Sequence, residues 1–164
     1  MTHLVRLATQ HDASELAAIR WMSRSTDEQG RESAVAFARR FQAWLNEALT
    51  SNAWHAVVAE RSSRIVGCMY LRIVDTVPVP GQAHRAWGYV THAFVRSEHR
   101  RLGIGTALLN ALVSEARSLK LKELQVWPSN EAISLYSRAG FMSAEQLRAA
   151  PSPEEASYVL ELRS

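Results

Sequence analysis

The stretch from Trp87 to Leu119 restricts the fold more than any other part of the chain. Its first residues, Trp87–Val95, carry no Lys, Arg, Asp or Glu and read as a central strand. Behind them comes Arg100-Arg101-Leu102-Gly103-Ile104-Gly105-Thr106. An amphipathic pattern follows, with Ile104, Leu108, Ala111, Leu112 and Leu119 on one side of a helix. Strand, short glycine loop and helix in that order call for an α/β domain. A helix that opens in such a loop leaves N–H groups without partners at the positive end of its dipole. No carboxylate lies between Glu98 and Glu115, and glycines at 103 and 105 let a bulky anion reach the backbone without meeting a Cβ. The loop reads as a phosphate cradle.

The flanking sequence extends the pattern. His3–Ala8 predicts a short strand, and Asp12 with Glu15 offers a capping box for a first helix carrying Leu16, Ile19, Trp21 and Met22. A polar break, Ser23–Gly30, separates it from a second helix with Phe37, Phe41, Trp44, Leu45 and Ala48 on one face. Trp54–Glu60 and Ile65–Val74 predict a hairpin joined by Arg61–Arg64, and Asp75–Arg85 is the longest irregular segment. Leu124–Trp127 predicts a strand, and a helix capped by Ser129 or Asn130 should run to Ala139 and stop at Gly140. A strand from Phe141, a break at Ala149–Glu155 and a last strand, Tyr158–Leu162, complete the chain. The expectation is one domain over residues 1–164, with a mixed, mostly antiparallel sheet of about seven strands flanked by about four helices.

Composition excludes several classes of function. Nineteen Lys and Arg against sixteen Asp and Glu leave a net charge of +3, too small and too dispersed for a nucleic-acid face. The single cysteine, Cys68, allows no internal disulfide and sits in an apolar strand, where a packed thiol is expected. The six histidines show no ligand spacing, so no metal is expected. No signal-like segment opens the chain and no window approaches the ~20 apolar residues of a membrane span. A cytoplasmic protein with no membrane partner is therefore expected.

Two familiar phosphate loops fail on these residues. A nucleoside-triphosphate loop needs a Lys-Ser/Thr pair after its second glycine, where this chain has Thr106-Ala107. A dinucleotide loop needs a third glycine where Leu108 stands. What fits is Arg100-x-x-Gly103-x-Gly105, preceded by Val95 and followed by Asn130-x-x-Ala-x-x-Leu-Tyr136-x-x-x-Gly140-Phe141. This resembles the acyl-CoA signature of the GNAT superfamily of N-acyltransferases, closely from about Trp87 to Phe141. Ser97, where many relatives have proline, is a small departure outside the cradle.

The resemblance implies an acetyl-CoA-dependent N-acetyltransferase working by direct attack of a primary amine, through a tetrahedral intermediate. The amides of Arg101, Gly103, Gly105 and Thr106 would hold the pyrophosphate, with Leu102 and Ile104 supplying the intervening backbone and Arg100 completing the site. Backbone groups of Phe94 and Val95 would pair with the cofactor's arm as a strand would. Arg96, Arg101 and Arg138 are candidates for the remaining phosphate or for a solvated surface. Tyr136 matches the position that protonates the departing thiolate, and Asn130 either contacts the arm or caps its helix.

A lysine-type amine has a pKa of ~10.4, so a base should help it arrive neutral. Relatives often place a carboxylate on the central strand; this chain has His92 there, either a base or a structural histidine. Glu60 is the weaker candidate, and water is the third. The acceptor, a small-molecule amine or the amine of a peptide or protein, has no motif of its own. The resemblance also leaves room for a homodimer. The competing reading is a non-catalytic acyl-CoA-binding or regulatory module, which would have no need of the Tyr136 hydroxyl.

Overall fold

The computed structural model describes residues 3–81, 86–143, 146 and 158–161. The elements run β1 (Leu4–Leu7), α1 (Ala13–Met22), α2 (Thr26–Gln29), α3 (Ala34–Thr50), β2 (Trp54–Arg61), β3 (Arg64–Asp75), β4 (Ala86–Val95), α4 (Ile104–Ser118), β5 (Glu123–Val126), α5 (Ile133–Arg138) and β6 (Tyr158–Glu161). The strands form one sheet in chain order, β1 to β6, antiparallel at every joint except β4–β5.

The expected α/β class and mixed sheet are present, but the counts need correcting. The described residues hold six strands and five α-helices, not about seven and about four. The additional helix is α2, inside the stretch expected as a polar break. Ser25 starts it by accepting from the Glu28 amide, while the Glu28 carboxylate accepts from the Ser25 amide, so four polar residues close one turn. The strand expected from Phe141 shrinks to a single bridge at Met142, and residues 144–145 and 147–157, with the expected break at Ala149–Glu155, lie outside the described residues. The first capping box also moves. Asp12 accepts from the Thr9 amide at 2.7 Å to close the turn before α1, and Glu15 instead accepts from the Ile65 amide of β3 at 2.9 Å.

β2 and β3 form the expected hairpin, with Arg61 opposite Arg64. Ser62 and Ser63 both take positive φ, 50° and 58°, as a two-residue turn that follows the strand twist requires. β3 is buried on both faces from Ile65 to Leu71, because helices cover the sheet on both sides. On one face α4 packs Leu108, Leu109 and Leu112 against Met69, Leu71, Val90 and Leu124. Each of these α4 leucines is at most 1% exposed and contributes about 2 kcal/mol by burial. On the other face α1 and α3 pack Leu16, Ile19, Phe41 and Leu45 against Val58, Cys68 and Tyr70.

Two irregularities in β4 prepare a site. The first is a bulge: Cys68 lies opposite Phe94 and Tyr70 opposite Thr91, so His92 and Ala93 share one partner position. His92 takes φ 50° to make it. Before the bulge, Val90 packs into the α4 face; after it, Val95 packs there and Phe94 packs against the α1/α3 cluster. The inserted residue reverses the alternation, and His92 is delivered to the α1/α3 side. An unbroken strand would have aimed it, two residues after Val90, at α4. The second irregularity is a splay. β5 pairs with β4 only from Gly88 to Val90, so the edge of β4 from Thr91 to Val95 has no β5 neighbour.

Candidate active site

A cavity of about 530 Å³ opens at the splay. Its walls include Phe94 and Val95 of β4, Arg100, Arg101, Gly103, Ile104, Gly105 and Thr106 of the loop and α4, and Ser134, Leu135 and Arg138 of α5. The first bond of α4 runs from the Ala107 amide to the Gly103 carbonyl, 3.0 Å. The amides of Ile104, Gly105 and Thr106 therefore lie ahead of the helical ladder. No side chain caps this end, and its first turn holds no carboxylate. Gly103 takes φ 77° and Arg101 φ 59°, and these two left-handed residues fold the loop back on itself. Arg100 ties the loop to the strand by donating from Nε to the Val95 carbonyl at 3.1 Å. His99, Arg100, Arg101 and Arg138 surround the opening against one carboxylate, Glu131.

These residues fit an acyl-CoA. Nothing in the protein requires glycine at 105: a Cβ there would meet only Leu135, at 3.7 Å, an ordinary contact. Its absence keeps the helix end open to a ligand. Leu102 is 53% exposed and is not among the residues lining the cavity. Of the three arginines considered for a remaining phosphate, Arg101 and Arg138 line this cavity. Arg96 is turned away, its Nε donating to the Ile65 carbonyl at 3.0 Å.

Tyr136 projects from α5 into the core, 2% exposed, with its ring edge-on to Phe141 at 5.3 Å. Burial pushes its hydroxyl up to about 12, with the nearby Tyr89 adding to the shift, so the phenol stays protonated at neutral pH. Asn130 does not cap its helix. It is exposed, it is not among the cavity's lining residues, and α5 starts at Ile133 with Ala132 in the N-cap position and no side-chain cap.

A second cavity, about 410 Å³, lies on the α1/α3 side of β4. Phe37, Phe41 and Trp44 of α3, Trp54 of β2, Tyr70 of β3 and Tyr89, Thr91 and His92 of β4 wall it, with Arg20 and Arg40. His92 Nδ1 stands 2.9 Å from Nη1 of Arg20. A guanidinium only donates, so Nδ1 accepts and the neutral ring carries its proton on Nε2. Burial first, then the charges of Arg20 and Arg24, lower the imidazole to about 4. A ring so held is a hydrogen-bond donor at neutral pH and a weak proton acceptor. Glu60 lines neither cavity; its carboxylate accepts from Arg6 at 3.1 Å, and Arg6 also pairs with Asp12 at the start of α1. Cys68 is wholly buried and its thiol is pushed up to about 12, which makes it a packing residue. Among the described residues no group of side chains could hold a metal ion, and no helix is long and apolar enough to cross a membrane.

Of the residues expected at the site, Phe94, Val95, Arg100, Arg101, Gly103, Ile104, Gly105 and Thr106 line one cavity, and Leu102 and Tyr136 line neither; sequence reasoning missed Arg20 and Tyr70. Neither belongs to a motif: each sits alone in an apolar pattern, and only packing unites them with His92.

Known proteins resemble the chain in the same terms. Residues 13–141 match the Acetyltransferase (GNAT) family, and the chain belongs to it. A predicted acetyltransferase from Clostridium acetobutylicum, solved with acetyl-CoA, superposes with a TM-score of 0.71 at 22% identity, over 94% of this chain and 96% of that one. A GCN5-related N-acetyltransferase from Ralstonia eutropha gives 0.66 at 23% identity, over 94% and 96%. The glucosamine-6-phosphate N-acetyltransferase of Arabidopsis thaliana gives 0.66 at 16%, over 96% and 99%. At these identities the likeness is one of fold. No curated protein matches the sequence.

Proposed function

We propose that this acetyltransferase uses acetyl-CoA and transfers the acetyl group to the nitrogen of a primary amine. The observation that carries the reading is the splay: an unpaired strand edge, Thr91–Val95, opening beside unpartnered helix-start amides in one arginine-rimmed cavity. The amides of residues 101–106 would hold the pyrophosphate, and the free edge at Phe94 and Val95 would pair with the amide-bearing arm. Acetyl-CoA supplies an activated acetyl thioester when bound.

The chain's own groups supply the rest. The amine comes from the α1/α3 side, past the bulge, because the second cavity ends at Thr91 and His92 and the first begins at Ala93. Tyr136, kept protonated by burial, donates its proton to the departing sulfur. His92 offers a donor at Nε2 and not a base, so the amine's proton leaves through water. Transfer is direct, since the one thiol is buried and protonated.

The test is thiol release from acetyl-CoA across a panel of amines, with Tyr136→Phe in parallel. Amine-dependent release that drops steeply in the variant is the expected result. Binding of acetyl-CoA without release on any amine would make the protein a non-catalytic acyl-CoA module instead.

A further inference from the structure

The acceptor cavity holds a cation that the protein does not neutralise. Arg20 is half-buried, and among the described residues its guanidinium meets one partner, the neutral Nδ1 of His92, and no carboxylate. Glu28, whose charge reaches it, is already forked by Arg24 at 2.8 and 3.0 Å. Arg40, the other cation on the wall, is paired with Glu32 and lies over the Phe37 ring. Two further polar atoms are buried here without partners, His92 Nε2 and the Tyr70 hydroxyl, the latter on a residue only 3% exposed. An unneutralised guanidinium, an imidazole N–H and a phenol converge at one end of the cavity. All three can donate to an anion. No Asp or Glu lines this cavity.

The rest of the wall is aromatic and continuous. Trp54 meets Trp44 edge-on at 5.4 Å, Trp44 meets Tyr70 at 6.4 Å, and Tyr70 meets His92 at 5.5 Å. Position then decides the order of groups in the ligand. Arg20 is held against His92 at the bulge, and the next residue, Ala93, lines the donor cavity, so an anion on Arg20 lies close to an amine that reaches that strand. The tryptophans lie farther from the bulge and would receive what hangs beyond.

We propose that the acceptor is an α-amino acid with a flat, apolar side chain, its carboxylate accepting from Arg20, His92 Nε2 and Tyr70 while its side chain lies among Phe37, Phe41, Trp44 and Trp54. This rests on the acetyltransferase reading above and names the acceptor for it. Polycationic amines are the wrong acceptors, since this wall carries arginine and no carboxylate.

The experiment has two arms. In the first, kcat/KM with acetyl-CoA is compared for L-phenylalanine and L-tryptophan, phenethylamine, L-phenylalaninamide, 6-aminohexanoate, glucosamine 6-phosphate, spermine and kanamycin. The aromatic amino acids should exceed their decarboxylated and amidated counterparts by about tenfold or more, the expected size of a charge-assisted contact. Arg20→Gln should collapse that ratio toward one, and Arg20→Lys should restore part of it. In the second arm, calorimetry measures binding of N-acetyl-L-phenylalanine and of phenethylamine to the unmodified protein, with no turnover required. Saturable binding of the carboxylate alone is expected. Faster turnover of spermine, kanamycin, 6-aminohexanoate, glucosamine 6-phosphate or phenethylamine overturns the proposal, as does failure of the carboxylate to bind. Binding of the carboxylate without turnover of any amine would leave this pocket standing and sink the transfer reaction.

Discussion

The two cavities that meet at β4 are built from different materials. The donor cavity is mostly backbone: a strand edge released by the splay, three helix-start amides, and a loop turned by Arg101 and Gly103. The acceptor cavity is mostly side chain, contributed by α1, α3, β2, β3 and β4. Backbone donors bind what any member of a family shares, because amide geometry is the same whatever the side chains. Side chains converging from five elements can be exchanged one at a time. The first cavity suits an invariant ligand, the second a ligand that differs between relatives.

That contrast can be broken experimentally, and the largest effect is expected at the proposed proton donor. Tyr136→Phe removes the proton donor and keeps the ring against Phe141. It should lower kcat by about 100-fold or more, the usual scale for acid catalysis, with little change in the affinity for acetyl-CoA measured by calorimetry. A full-rate variant would assign the phenol to packing alone.

The acceptor side should show itself next, through pH. His92 is lowered from 6.5 to about 4 in the folded chain. Between those values the unfolded chain binds a proton that the folded chain refuses, so stability falls as pH drops from about 6.5 toward 4. Denaturant titrations at pH 7 and pH 4.5 should show His92→Gln shrinking that loss by about 2–3 kcal/mol. An unchanged acid-side loss would mean that the ring is not held neutral.

On the donor side, Gly105→Val puts a branched side chain where the protein itself leaves room. Acetyl-CoA should bind about tenfold more weakly by calorimetry, roughly 1.4 kcal/mol, while the melting temperature of the ligand-free protein holds or rises, since glycine inside a helix costs about 0.5–1 kcal/mol. Unaltered affinity would show that the ligand does not approach this helix end. Smallest of all, Arg100→Ala removes a solvent-exposed tie between loop and strand and should weaken acetyl-CoA binding only a few-fold, about 0.5–1 kcal/mol. A hundredfold loss would instead put the side chain directly on the phosphates.

The same contrast explains what could be read before the structure was known. Arg100, Gly103 and Gly105 lie within one short segment whose chemistry is local, so spacing alone pointed to an anion. Tyr136 came only from the resemblance to the family's motif, and the helix end expected at Gly140 is present, with Gly140 at φ 91°. The bulge could not be foreseen. Nothing about Thr91-His92-Ala93 distinguishes it from continuous strand, and one inserted residue decides which cavity receives His92. Arg20 was equally hidden: on α1 it looks like a solvated charge, and its burial depends on β4 having been bent toward it. The helix α2 went unread because four polar residues suggest a loop unless the Ser25–Glu28 reciprocity is noticed.

The lone parallel joint of the sheet has a consequence for how the molecule comes to exist. β2, β3 and β4 are successive antiparallel neighbours that can zip in order as the chain emerges, whereas β5 reaches β4 only after α4 has formed and crossed over. Every wall of the acceptor cavity lies before Ala93, and the donor cavity needs residues up to Arg138. The donor cavity therefore exists only once α4 and α5 have packed, and by mass action a ligand bound in it would stabilise the completed fold.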